Sequence, residues 1–280
     1  MKFALAVGLP VRSRNLLLLI FLVLGSRLRA QDLVSSAESL LSDLTDIQCD
    51  NKMRQQAVRD LFARMGASET EITDRSYRKV TNVVLEVPGT TNERIIIGAH
   101  YDKSRIGCGA IDNWTGIVIL AHLYRTIRAA HPNKNFVFVA FGREEEGLLG
   151  SKAMLESIPK EERRNYCAMV NLDSFGMARP QALENVSTAK LVELARKVAK
   201  ENDIPFAFGT VATAGADSDP FRFKGIPALT LHGLASRYHQ VIHTPADTEA
   251  EVDLGSVYLG YRFALRLVAH LDKCDCSDLR

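Results

Sequence analysis

The hydrophobic positions along the chain follow two rhythms. "DLVSSAESLLSDLT" and "MRQQAVRDLFARMG" repeat apolar residues at helical spacing, and Gly66 supplies a helix stop. "RKVTNVVLEVPG" alternates apolar and polar positions as a half-exposed strand does, and ends at Pro88-Gly89. "RIIIGAH", "FVFVAFG", "AMVNLD" and "PALTLHG" are instead short and continuously apolar, the signature of strands covered on both faces. Between and after them the helical rhythm returns in "TGIVILAHLYRTIRAAH", "GSKAMLESI", "TAKLVELARKVAKEN" and "DLGSVYLGYRFALRLVAHLD". This alternation predicts an α/β fold: a three-layer sandwich with a mostly parallel, mixed central sheet flanked by helices. The first long strand is expected to pair antiparallel at an edge.

Composition narrows the class without changing that picture. With 46% hydrophobic and 24% charged residues over 280 positions, the chain can bury a sizeable core in one domain. A net charge of +2 gives no reason to expect nucleic acid or an anionic membrane as partner. At the N-terminus, Lys2, Arg12 and Arg14 precede the apolar run Leu16 to Leu24. That run is too short for a bilayer core of about 30 Å, which needs about 20 residues. It fits the apolar region of a signal peptide, with residues 1–30 removed, a domain over 31–280 and no stable membrane insertion after cleavage; an uncleaved anchor is the alternative. Export permits disulfides, and the five cysteines leave at least one free or paired between chains. Cys274 or Cys276 is a candidate partner for Cys49, while Cys167, inside "CAMVNLD", reads as a buried reduced thiol.

Candidate chemistry gathers where the apolar runs stop. In open α/β sheets, sites form beyond the carboxyl ends of the strands. "RIIIGAH" ends on His100, with Asp102 two residues on; "FVFVAFG" runs into Glu144, Glu145 and Glu146; "AMVNLD" ends on Asp173; "VIHTPADT" carries His243; and Asp112 opens the helix after the His100 strand. Taken singly, Asp112 is as readily a helix N-cap, and the three glutamates a solvated loop. Together, two histidines and three carboxylates make a ligand set suited to zinc, manganese or cobalt. The other histidines, at 122, 131, 232, 239 and 270, read as surface or core residues.

"GAHYD", "GAIDNWTGIVIL", "EEEGLLGS", "NLDSFG", "ADSDPF" and "IHTPADT" occur in the order and approximate spacing of the di-zinc aminopeptidases. The chain thus resembles the family of bacterial leucyl aminopeptidase, whose relatives include glutamate carboxypeptidase and glutaminyl cyclase, from about Val80 to Thr248. The resemblance implies a phosphorylase/hydrolase-like sandwich and two zinc ions, with manganese or cobalt as substitutes. One ion would be held by His100, Asp112 and Asp173, the other by Asp112, Glu145 and His243. It implies Glu144 as general base in hydrolysis of the N-terminal bond of a peptide with a free N-terminus, by a water shared between the ions. Asp102 would orient His100 from behind, and Asp217 would support the site from further out. The Asp112–Asn113 peptide bond would be cis.

Three departures stand out. Ser218 occupies a place where relatives often have histidine, and the family's tyrosine for the tetrahedral intermediate has no motif-level match, Tyr238 being a candidate by position only. Trp114, where a small residue is usual, would narrow the pocket. Asn113-Trp-Thr and Asn185-Val-Ser are glycosylation sequons, the first too close to Asp112 to carry a glycan. A one-zinc glutaminyl cyclase-like aminoacyltransferase and a non-catalytic peptide-binding relative are the alternative functions. Oligomeric state and side-chain preference are not legible.

Overall fold

The computed structural model describes residues 34–77, 79–211 and 215–280. The expected signal segment lies outside them. Among the described residues no helix is long and apolar enough to cross a membrane.

Two short helices, α1 (Ala37–Leu44) and α2 (Asn51–Arg64), lead into β1 (Thr73–Tyr77), β2 (Val80–Val87) and β3 (Arg94–His100). Then follow α3 (Thr115–Ala130), β4 (Asn135–Phe141), α4 (Leu149–Ser157), β5 (Tyr166–Leu172) and β6 (Gln181–Leu183). The chain continues through α5 (Ala189–Glu201), β7 (Ala207–Gly209), α6 (Asp219–Phe223) and β8 (Ala228–His232), and closes with α7 (Leu254–Leu271). Side-chain caps start several of these helices: Ser36 accepts from the amide of Ser39, Asp50 from Lys52 and Asp253 from Ser256.

The eight strands form one mixed sheet in the order β1-β2-β4-β3-β5-β8-β6-β7. Its centre, β4-β3-β5-β8, is parallel. β1, β2 and β4 pair antiparallel in succession, and so do β6 and β8. The expected three-layer α/β architecture is therefore present, with one correction. The first long strand, β2, is one place in from the edge, because "TDRSY" forms the edge strand outside it. That strand carries no apolar run, since most of its residues are exposed or half-exposed and have no core to enter.

The continuously apolar strands are apolar because both faces are covered. In β4, Phe136, Phe138 and Ala140 join the large core beneath α1, α2, α3, α5 and α7, while Val137, Val139 and Phe141 join a smaller core with Met154 and Leu155 of α4. The period of two is present, but each side meets helices, so no polar alternation shows in the sequence.

The cysteines correct two expectations. Cys49 pairs with Cys108, and Cys167 pairs with Cys276 (Cα–Cα 4.4 and 4.7 Å); Cys274 is the free thiol. Cys167 is thus not a reduced core thiol: after α7 the C-terminal 3-10 turn Cys276–Leu279 returns to β5 and brings Cys276 beside it. Cys49, just before α2, instead meets the loop that follows β3.

Candidate metal centre and active site

β3, β4 and β5 run parallel, so their carboxyl ends open on one edge of the sheet. His100 is the last residue of β3, Asp173 follows β5, and the glutamates follow β4 after the turn at Gly142-Arg143. Asp112 lies in the irregular turn Ala110–Trp114 that leads into α3, and the Asp112–Asn113 bond is cis. Asp112 is not a helix cap: its oxygens point to two imidazoles. Oδ1 lies 3.1 Å from His100 Nε2, and Oδ2 lies 3.0 Å from His243 Nε2. His100 Nε2 also stands 3.7 Å from Asp173 Oδ1, and His243 Nε2 stands 3.2 Å from Glu145 Oε2.

Two groups result, His100–Asp112–Asp173 and Asp112–Glu145–His243, each with its ligand atoms within 4.8 Å of one another. They share Asp112. Around them lies a cavity of about 690 Å³, lined also by Glu144, Leu148, Tyr238 and His232.

Neighbouring backbone builds this geometry. Asn113 is fully buried; its Oδ1 accepts from the amides of Gly116 and Ser174, and its Nδ2 donates to the carbonyl of Leu172. It therefore clamps the Asp112 turn to the end of β5 beside Asp173, and its amide is not free for a glycan. Gly116 permits this approach, since a Cβ there would strike Asn113 and the Leu172 carbonyl. Asp247, from the "HTPADT" segment, accepts from the amides of Ile111 and Asp112 at 2.7 and 3.3 Å.

Asp102 does something other than orient His100 through its side chain. His100 Nδ1 lies 3.0 Å from the Asp102 backbone carbonyl, against 3.8 Å from its carboxylate. The carboxylate accepts instead from the amides of Glu144 and Glu145, at 2.9 and 3.1 Å, and so fixes the glutamate turn against the His100 strand end. Trp114 does not narrow the cavity. It is buried in the main core, donates from Nε1 to the Asp43 carbonyl at 2.9 Å and lies beneath the Arg54 guanidinium. Arg54, absent from the sequence reading, is fully buried and donates to the carbonyls of Gln48, Tyr101, Cys108 and Gly109. Ser218 fills the histidine place without reaching the cavity: its hydroxyl donates to the Val186 carbonyl and meets the Thr230 hydroxyl at 2.7 Å.

The electrostatics are dominated by negative charge out of water. Burial, with Asp217, Asp173 and Asp112 nearby, pushes the Glu144 carboxyl well above its usual range, although His100 opposes it. Burial likewise raises Asp217 to about 7, with Asp102 and Asp173 adding to it. Burial disfavours a charged His100, but Glu144, Asp112 and Asp173 outweigh it and raise its pKa well above that of free imidazole. Asp112 and then Glu145 raise His243 to about 10. Burial would raise Asp112, yet the hydrogen bonds of His100 and His243 hold it below its ordinary value. The cluster calls for positive charge. Glu145 Oε1, buried, has no partner among the described residues, and the donor set of carboxylate oxygens and imidazole nitrogens fits divalent zinc, manganese or cobalt.

A helix-flanked mixed sheet with acidic and imidazole side chains gathered beyond the carboxyl ends of its parallel strands places this chain among α/β proteins that build their sites at that edge. Residues 82–268 match the model of Peptidase family M28, and the chain belongs to that family. It is similar to Leucine aminopeptidase 1 of Paracoccidioides brasiliensis, 26% identical over 241 residues, covering 78% of this chain and 62% of that protein. Among solved structures it is similar to BSAP, a zinc aminopeptidase from Bacillus subtilis, with a TM-score of 0.62 and 21% identity over 71% of this chain and 52% of that one. It is similar as well to an Acidobacteriales bacterium glutaminyl cyclase, with a TM-score of 0.71 and 16% identity over 96% and 99%. The chain thus spans between half and two thirds of the first two proteins.

Proposed function

We propose that this chain is a zinc-dependent exopeptidase that removes the N-terminal residue of peptides. The observation that carries the reading is the pair of ligand groups sharing Asp112, with Glu144 lining the same cavity. His100, Asp112 and Asp173 would hold one ion and Asp112, Glu145 and His243 a second. When bound, the ions supply Lewis acidity, lowering the pKa of water and polarising a carbonyl. Glu144 takes the proton of the attacking water and passes it to the leaving amine, which needs a carboxylate within hydrogen-bond reach and a raised pKa. Asp102 keeps that carboxylate in place by holding its backbone amide. Asp217, fully buried, adds to the negative field that raises Glu144. A substrate with a free N-terminus is favoured because these carboxylates attract an ammonium group.

The basic-flanked run Leu16 to Leu24 and the two disulfides support export to an oxidising compartment.

The test is metal content together with hydrolysis of aminoacyl-anilides with free and acetylated amines. Two divalent ions per chain are expected, with activity confined to free amines and abolished by chelation. Full activity with a single ion, or conversion of N-terminal glutaminyl peptides to pyroglutamyl peptides with release of ammonia, would favour the cyclase-like function. Equal rates on acetylated and free substrates would overturn an aminopeptidase.

A further inference from the structure

The sequence pattern gives His232 no special place, yet it ends β8 on the same sheet edge as the site. β8 pairs with β5, and the Asp173 amide donates to the Leu231 carbonyl at 2.9 Å. That register sets His232 beside Asp173. Its ring is 5% exposed and lines the cavity.

The two ring nitrogens are not equivalent. Nδ1 accepts from the backbone amide of Leu234 at 3.3 Å. A nitrogen that accepts carries no proton, so in the neutral ring the proton sits on Nε2. Nε2 is buried and meets no acceptor among the described residues. A buried N–H without a partner is costly, so such a group in a cavity wall calls for an acceptor brought by a ligand.

The other groups of the wall narrow what that acceptor is. The centre consists of carboxylates and imidazoles already turned to one another. Lys152 donates to the Gly147 carbonyl and Ser174 to Asp173, while the Thr230 hydroxyl meets Ser218. Tyr238 and His239 are half-buried and exposed. Among the described residues of this wall, His232 is the buried donor left without a partner, and every peptide substrate brings a scissile carbonyl oxygen.

We propose that His232 is a catalytic residue of the peptidase reaction, donating from Nε2–H to the scissile carbonyl oxygen and more strongly to the oxyanion of the tetrahedral intermediate. No proton is transferred: the bond strengthens as charge develops on the oxygen and relaxes when the intermediate collapses and expels the amine. Burial lowers the pKa of His232 to about 4, against the pull of Asp173, which agrees with a neutral donor at neutral pH. The inference rests on the exopeptidase reading above.

The test compares wild type, His232→Leu and His232→Gln on a free-amine peptide. Loss of one such donor costs about 10²–10³-fold in kcat. His232→Leu should show that loss with KM within about threefold and unchanged metal content. His232→Gln, which retains an amide N–H, should recover part of it. An α-aminoalkyl boronic acid, whose tetrahedral adduct mimics the intermediate, should lose affinity for His232→Leu by a similar factor, while the product amino acid binds as before. An active wild type with unimpaired His232→Leu overturns this proposal alone. So does a variant in which kcat, metal content and thermal stability fall together without recovery in His232→Gln, since that is a packing role. A wild type inactive on every free-amine peptide overturns the exopeptidase reading, and this proposal with it.

Discussion

Three consecutive glutamates occupy three environments. Glu144 lines the cavity, Glu145 meets His243, and Glu146 is exposed and paired with Arg143 at 2.9 and 2.5 Å. Their amide variants should therefore differ. Glu144→Gln keeps its shape but accepts no proton at neutral pH, so kcat should fall about 10²–10⁴-fold with metal content intact. Glu145→Gln should lose metal, because a neutral amide oxygen is a poorer zinc ligand, and added zinc should partly restore it. Glu146→Gln should change neither, since its side chain is exposed and paired only with Arg143 at the surface. Measuring kcat and metal content on all three decides; a dead Glu146→Gln, or a metal-free Glu144→Gln, would show the roles to be shifted by one residue. At this scale much of the site was legible, because His100, the glutamates and Asp173 each terminate an apolar run that pattern alone marks as a strand. Arg54 was not. Arg54 sits in an ordinary amphipathic helix, and its work is done on backbone carbonyls, which leave no trace in residue types. His232 does end an apolar run, and that signal was available. The function of Asp102 was missed because its partners are backbone amides, not the histidine two residues away.

Among the elements, α1 is held by a polar network inside an apolar interface. Asp43 accepts from His122 of α3 at 3.0 Å and from Arg64 at 3.0 Å, and Ser35 meets the other nitrogen of His122 at 2.7 Å. Burial works against the Asp43 charge, but His122 and Arg64 outweigh it and lower the pKa below its ordinary 3.8. A lowered carboxyl pKa stabilises the fold above the unfolded-state value, and that contribution disappears as pH falls through the folded value. Asp43→Asn should thus destabilise by about 1.5–3 kcal/mol at pH 7, the range for hydrogen bonds to a charged group. The difference from wild type should shrink as pH falls below 3.8. Urea titrations at several pH values measure it, and a pH-independent difference would show that the charge is not what matters. None of this was readable from "SLLSDL", where Asp43 looks like a solvent-facing helix residue. The sheet edges were equally hidden: β6 and β7 span three residues each, too short for any period to show.

Across the whole molecule, two covalent ties close loops of different consequence. Cys167 and Cys276 are 109 residues apart, Cys49 and Cys108 59 apart. By chain entropy each would stabilise the fold by about 4–5 kcal/mol. Their positions differ along the strands. Cys167 begins β5 and Asp173 follows its end, so at about 3.3 Å per residue that bridge lies roughly 20 Å from the site. Cys108 is instead in the loop between His100 and Asp112: its carbonyl accepts from Arg54 at 2.9 Å, and its amide donates to the Asp247 carbonyl at 2.8 Å. Removing the first bridge, as Cys167→Ser with Cys276→Ser, should lower thermal stability and leave metal affinity and kcat near wild type. Removing the second, as Cys49→Ser with Cys108→Ser, should lower stability by a similar amount and weaken metal binding as well, because the turn presenting Asp112 loses its anchor to α2. Thermal denaturation beside metal titration of both variants separates the two effects. Equal metal affinity in the two would show that Arg54 and Asp247 hold the Asp112 turn without help from the disulfide.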